Sequence, residues 1–153
     1  MRLTVFSDYT LRTLLYLALQ RDGLATIDEI AQAYGISRNH LMKVVNHLSR
    51  RQIIQTVRGK GGGMALARLP RDINVGAVVR DTEKDSHIVE CFDPARAGCC
   101  RIEAACGLQH VLHRAREAFY AVLDDVTLED LLGTRQEKMA EMLGMMPFSP
   151  ARE

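Results

Sequence analysis

TIDEIAQAYGISRNHLMKVVNHLSRRQIIQTVRGKGGGMALARL, residues 26–69, decides the fold of this chain. Its first ten residues predict a short helix. Thr26 and Glu29 form a capping-box pair, and Gly35 is a C-terminal stop. Ser37 is placed to cap a further helix over 38–50. Two helices separated by a glycine turn, with about three residues between them, make a helix-turn-helix. Leu41, Val44, Val45 and Leu48 recur at helical spacing and point inward. Asn39, Lys43, Asn46 and Arg50 lie opposite, with Arg38 and His47 nearby. That row holds amides and cations and no carboxylate, the groups that pair with base edges and phosphates in a major groove. His40 and His47 read as helix-surface residues near phosphate.

Residues 53–57 and 64–69 are strand candidates around the glycine-rich tip RGKGGG. A helix-turn-helix followed by a β-hairpin is a winged helix. Arg58 and Lys60 in the wing can reach backbone phosphates or the minor groove. The glycines lack the GxxxxGK[ST] spacing of a phosphate-binding loop. No Ser/His/Asp set or paired carboxylates suggest catalysis, so the expectation is a binding protein and not an enzyme.

Working outward, residues 8–20 predict a helix that Ser7 or Asp8 caps and Asp22-Gly23 ends. Asn74 caps a helix over 75–82. Residues 84–104 read as a loop. Leu108, Val111, Leu112, Ala115, Phe119 and Val122 mark a long amphipathic helix at about 106–124, and a stripe of that extent needs a packing partner. A second copy of the chain is the natural one. Thr127 caps a short helix through Leu132, and the Met-rich tail from Thr134 reads as a fraying helix or as partly disordered. The expected fold is therefore mainly α: a winged helix-turn-helix with a small hairpin wing and a long C-terminal dimerisation helix. The expected division is 1–82 for DNA binding, 83–105 for a cysteine-rich loop, 106–133 for dimerisation and 134–153 for the tail.

The formal net charge of +1 conceals an asymmetry. Residues 1–80 carry 12 Lys and Arg against 5 Asp and Glu, and residues 81–153 carry 8 against 14. Only the first half is suited to an anionic partner such as double-stranded DNA. No leader is apparent, and the apolar run Leu14 to Leu19 is too short to span a bilayer. A cytoplasmic protein is the expectation, where disulfides are rare. All 4 cysteines fall in CFDPARAGCCRIEAAC, residues 91–106. The loop alone leaves four readings open: an iron–sulfur site, a zinc site, redox thiols at Cys99-Cys100, or inert thiols. Paired CxxC or CxxH units that would favour zinc are missing.

The opening TVFSDYTLRTLLYLA, the unit IAQAYGISRNHLMKVVNHL, the wing VRGKGGG and a cysteine loop before a long helix resemble the iron–sulfur winged-helix repressors of the Rrf-two family. The likeness runs over roughly the first 130 residues and is strongest to the branch that senses nitric oxide. It implies that three loop cysteines and an aspartate from the other subunit's first helix hold an iron–sulfur cluster, one per subunit, of either two or four irons. The matching residues are Cys91, Cys100, Cys106 and Asp8, with Cys99 as the alternative to Cys100. The Cys-Cys pair and the longer first gap depart from the family pattern. Gln109 stands where the cluster-assembly regulators carry histidine, and His110 follows one position later. The resemblance further implies a homodimer that represses transcription from a near-palindromic operator and is released by nitric oxide. Arg38, Arg50 and Lys60 are then phosphate contacts. Asn39, Lys43, Asn46 and Arg58 are the candidate base readers, with His40 beside them. Alternatives are a regulator of the same fold that reports cluster supply or redox state, or one built on zinc or thiols.

Overall fold

Helix caps set the boundaries of the winged unit in the computed structural model, which describes residues 2–20, 23–83 and 87–145. The elements are α1 (Val5–Leu19), α2 (Ile27–Tyr34), α3 (Arg38–Arg50), β1 (Ile54–Val57), β2 (Gly63–Leu66), α4 (Val75–Thr82), α5 (Gly107–Asp124), α6 (Leu128–Leu132) and α7 (Gln136–Met142). The capping box at α2 is complete, and Gly35 ends that helix in the left-handed region at φ 64°. Ser37 occupies the cap position of α3, but its side chain makes no capping hydrogen bond. Asn74 caps α4 by accepting the Ala77 N–H at 2.8 Å. The mainly helical winged fold read from the sequence is the fold observed.

The first helix corrects the expected cap. It starts at Val5, and Thr4 is its N-cap through a bond from the Ser7 N–H. Asp8 lies inside the helix and pairs with Arg12 one turn on, at 2.9 Å. Ser7 and Asp8 lose the cap role because Thr4 offers its hydroxyl one turn earlier, where Glu83 reinforces it. The expected stop at Asp22 lies outside the described residues.

Leu14, Ile30, Leu41, Val44 and Leu48 are at most 1% exposed and join α1, α2 and α3 into one core. Each such side chain contributes about 1.5–3 kcal/mol by burial, against about 0–1 kcal/mol for an exposed ion pair. The core therefore holds the unit together, and the ion pairs orient its parts. β1 and β2 pair antiparallel, from Ile54 opposite Leu66 to Val57 opposite Gly63. Ala25 and Met64 exchange backbone hydrogen bonds of 2.9 and 2.7 Å, which sews the wing to the start of α2. A Cβ on Gly63 would sit 2.7 Å from the Ala25 carbonyl oxygen, so only glycine allows this closure.

After α5 the chain returns to the first unit. The Leu128 N–H donates to the Ile73 carbonyl at 2.9 Å, and Leu128 is a core residue at 1% exposure. Beyond it the first part of the tail, where a fraying helix or disorder was expected, forms the helix α7, and its Ala140 buries against Leu19 and Leu132. No helix among the described residues is long and apolar enough to cross a membrane.

α4 and α5 touch at Gly76, where a Cβ would lie 2.8 Å from the Asp124 backbone nitrogen and closer still to its carboxylate. Asp124 also ion-pairs with Arg80, whose guanidinium holds its carboxyl below the usual range. Gly76→Ala is expected to destabilise the protein by about 1–3 kcal/mol through overpacking, although alanine in an open helix would add about 1 kcal/mol over glycine. Thermal unfolding checks the sign, and an unchanged or higher midpoint would show that α5 yields without cost.

Candidate DNA-reading face and cysteine cleft

The polar side of α3 is accessible along its length. Arg38, Asn39, His40, Lys43, Asn46 and Arg50 are all exposed, while Leu41, Val44, Val45 and Leu48 are buried beneath them. Arg58 and Lys60 are exposed at the wing tip. Among the described residues, Lys43, Arg50, Arg58 and Lys60 form no ion pair, so their charge is available to a partner. Arg38 differs, because its Nε lies 2.9 Å from Asp28 at the start of α2. His40 packs beside the Tyr9 ring of α1, with centroids 5.8 Å apart.

His47 departs from its expected place near phosphate. It turns inward, 2.8 Å from Asp81, with its ring against Phe6. The expectation failed because Asp81 belongs to α4, far along the sequence. Arg51 joins the same carboxylate through two hydrogen bonds of 2.8 and 2.6 Å. Arg68, beyond the wing, donates to the carbonyls of Gln52 and Arg51 at 3.1 and 3.0 Å. These two arginines are cations of the basic half that the fold itself uses: Arg51 ties the exit of α3 to α4, and Arg68 ties the end of the wing to that exit.

A buried carboxylate fastens α1. Glu83, 7% exposed, lies just past α4 and accepts from the Thr4 N–H at 2.7 Å and the Thr4 hydroxyl at 2.8 Å. It also accepts from the Ser7 hydroxyl, which lies 2.7 Å from the Thr82 hydroxyl. A carboxylate at a helix N-terminus is favoured by the orphan N–H groups and the macrodipole. Asp8 is the next residue after Ser7, so Glu83 positions it. Sequence reasoning missed both Glu83 and Asp81. Each looks like an ordinary polar residue at a helix end, and their partners are distant in the chain.

The segment after Glu83 carries the thiols. Its described part forms short 3-10 turns at Glu90–Phe92, Pro94–Arg96 and Glu103–Ala105 in place of a featureless loop. All four cysteines are free; Cys99 and Cys100 are exposed, and Cys91 and Cys106 partly covered. Cys91 and Cys106 line one cleft of about 700 Å³ with Glu103, His110, His113 and Arg116. Phe92 is pinned to α5 by the His113 ring, 6.0 Å away, and by the Arg116 guanidinium at 5.2 Å. Glu103 accepts from the Gly98 N–H at 2.8 Å, which braces the turn that presents Cys99 and Cys100.

Desolvation pushes the Cys91 thiol above its ordinary value, a backbone hydrogen bond opposes this, and Glu103, Cys99 and Cys100 add to the rise. A thiol that resists ionising, with further thiols near it, suits a cation, because a bound metal reverses that preference. In kind, the donors therefore fit an iron–sulfur group. Among the described residues, however, no three His, Cys, Asp or Glu side chains converge to hold a metal ion within one chain. Cys91 and Cys106 share a cleft, and Asp8 does not line it.

A reading helix with free cations, a wing locked to it and a core behind both define a winged-helix DNA-binding regulator. A profile of the Rrf2 family, described as an iron-dependent transcriptional regulator, matches residues 3–134. The chain belongs to that family, as the sequence resemblance implied. It is 50% identical over 140 residues to the HTH-type transcriptional regulator NsrR of Bacillus subtilis (strain 168), covering 91% of this chain and 95% of that protein. The HTH-type transcriptional regulator NsrR of Halalkalibacterium halodurans is 43% identical over 148 residues, 96% of this chain and 100% of that one. Among solved structures, T. potens IscR superposes with a TM-score of 0.69 at 26% identity, covering 97% of this chain and 94% of that one. The oxidized form of Staphylococcus aureus CymR gives 0.68 at 26% identity, covering 87% and 97%.

Single cysteine substitutions sort the thiols. Cys91→Ala and Cys106→Ala are each expected to strip iron and sulfide from anaerobically purified protein. Of Cys99→Ala and Cys100→Ala, only one should do so. Elemental analysis checks this, and zinc without sulfide in the unaltered protein would overturn it.

Proposed function

We propose that this protein is a nitric-oxide-responsive transcriptional repressor of the NsrR type, which binds a near-palindromic operator as a homodimer in its cluster-bound form and releases it on exposure to nitric oxide. The observation that supports this most is the junction at the end of α4. There Asp81 takes hold of the reading helix and Glu83 takes hold of the first turn of α1, at the root of the cysteine segment.

Asn39, Lys43 and Asn46 face base edges in the major groove, with Arg58 reading from the wing. Arg50 and Lys60 meet phosphates, and His40 lies beside them. The uncovered apolar side of α5, with Leu108 at 64%, Val111 at 56% and Val122 at 68% exposure, fits a twofold contact with a second copy. Cys91, Cys106, one of Cys99 and Cys100, and the partner subunit's Asp8 would hold the iron–sulfur cluster. When bound, that group supplies iron that reacts with a diatomic gas, at a carboxylate-held position more labile than a thiolate one. The protein's own residues carry the consequence. Asp8 follows Ser7 within the Glu83-fastened first turn of α1, and α1 touches α3 through Phe6 with His47 and Tyr9 with His40. Freeing Asp8 changes how the two reading heads are held apart.

Cluster-loaded protein is expected to lose operator affinity by more than a hundredfold when nitric oxide is added, a coupling of about 3 kcal/mol. Anisotropy titrations on labelled duplex check it. Unchanged affinity after the visible absorption has been bleached contradicts gas sensing while leaving DNA binding intact.

A further inference from the structure

A single aromatic ring carries the cysteine segment onto α5. Among the described residues, the hydrogen bonds and ion pairs of residues 87–106 close on the segment itself, as between Arg96 and Glu90 and between Gly98 and Glu103. Both ring contacts that leave it are made by Phe92. The His113 ring meets Phe92 edge-on, with centroids 6.0 Å apart and planes at 70°. The Arg116 guanidinium lies over the Phe92 ring at 5.2 Å. Arg116 is itself held, with its Nη2 at 3.2 Å from His113 Nε2 and 3.2 Å from a Glu117 carboxylate oxygen. Edge-on ring pairs and a cation over a ring face are both attractive beyond the area they bury.

The place of this ring in the chain gives the contact its consequence. Cys106 stands at the N-cap of α5, so the helix that follows it fixes that thiol. His113 is about two turns further on and shares its face, and Arg116 neighbours His113 there. Cys91 immediately precedes Phe92, at the far end of a loop whose free ends would range over many separations. With the ring seated on α5, Cys91 and Cys106 line one cleft and are both partly covered. Cys99 and Cys100, between them in the chain, are exposed.

We infer that Phe92 is a positioning residue, a latch that keeps Cys91 beside Cys106 on α5 in the metal-free chain, so that two thiols of the site stay paired when iron leaves. It rests on the proposed reading of these cysteines as cluster ligands, and it adds how half of that site is held before the cluster arrives.

The test uses full-length, reduced, metal-free protein carrying Cys99→Ala and Cys100→Ala, so that only Cys91 and Cys106 remain. Dibromobimane joins two neighbouring thiols and fluoresces once both have reacted. Protein with Phe92 is expected to give a fluorescent product of single-chain mass. Phe92→Ala should slow that bridging about tenfold, the combined effect of the two ring contacts, while a one-armed alkylating reagent modifies both thiols as fast as before. Phe92→Tyr, which keeps the ring, should restore the bridging rate. In cluster-loaded protein with all four cysteines, Phe92→Ala should also give up iron to a ferrous chelator about tenfold faster, and Phe92→Tyr should not. Circular dichroism and melting confirm that each variant is folded. If Phe92→Ala is bridged at the rate of the unaltered ring, or if Phe92→Tyr is as slow as Phe92→Ala, the latch is overturned. Four-cysteine protein that holds no iron would overturn the cluster reading instead, and the bridging rates would still decide the latch.

Discussion

α4 ends in two carboxylates, and the geometry of the regulator depends on what each one holds. Asp81 takes His47 and Arg51 from the reading helix and its exit. Glu83, two residues later, accepts three donors from the first turn of α1. A buried carboxylate is tolerated only when its hydrogen bonds are met. Leaving its partners would strand both it and a helix N-terminus. The turn that carries Asp8 is therefore joined through α4 to α3, the proposed DNA-reading helix.

The division of labour among the cations follows from the same frame. Arg51, Arg68 and Arg80 are spent inside the protein, on Asp81, on backbone carbonyls and on Asp124. Lys43, Arg50, Arg58 and Lys60 are left to the solvent face, where an anionic duplex would meet them. The basic character of residues 1–80 is thus partly structural, and the portion available to DNA is smaller than the charge count suggests. α5 is joined to the winged unit by Asp124 and by the Asn74 amide, which donates to the Asp124 carbonyl at 2.6 Å. Its outer stripe stays bare, with Leu108, Val111 and Val122 more than half exposed.

Local chemistry made much of the fold legible. Thr26 with Glu29, Gly35, Asn74 and Thr127 are signals read within four residues of themselves, and the elements they bound appear where those signals placed them. The inward stripe of α3 was equally plain, because helical spacing requires no knowledge of its partners. What escaped were features whose cause lies far away in the chain. The start of α1 depends on Glu83, 79 positions from Thr4. The inward turn of His47 depends on Asp81, and the order of α7 depends on Leu19 and Leu132. At the cysteines, donor type was legible and arrangement was not. Four clustered thiols can be recognised from residue identity, whereas Asp8 as a completing ligand was implied only by the family resemblance, and in the proposed arrangement it comes from a second chain.

Ligation shared between subunits can be read most directly from a mixed dimer. One chain carries Asp8→Ala with its cysteines intact, and the other keeps Asp8 but has all four cysteines replaced by alanine. Purified through two different tags, the heterodimer should hold a single cluster with the visible circular dichroism of the unaltered protein, while neither parent homodimer shows it. A heterodimer whose spectrum matches that of the Asp8→Ala homodimer would mean that the carboxylate does not cross the interface, and the proposed link between gas sensing and the DNA-reading helix would be lost.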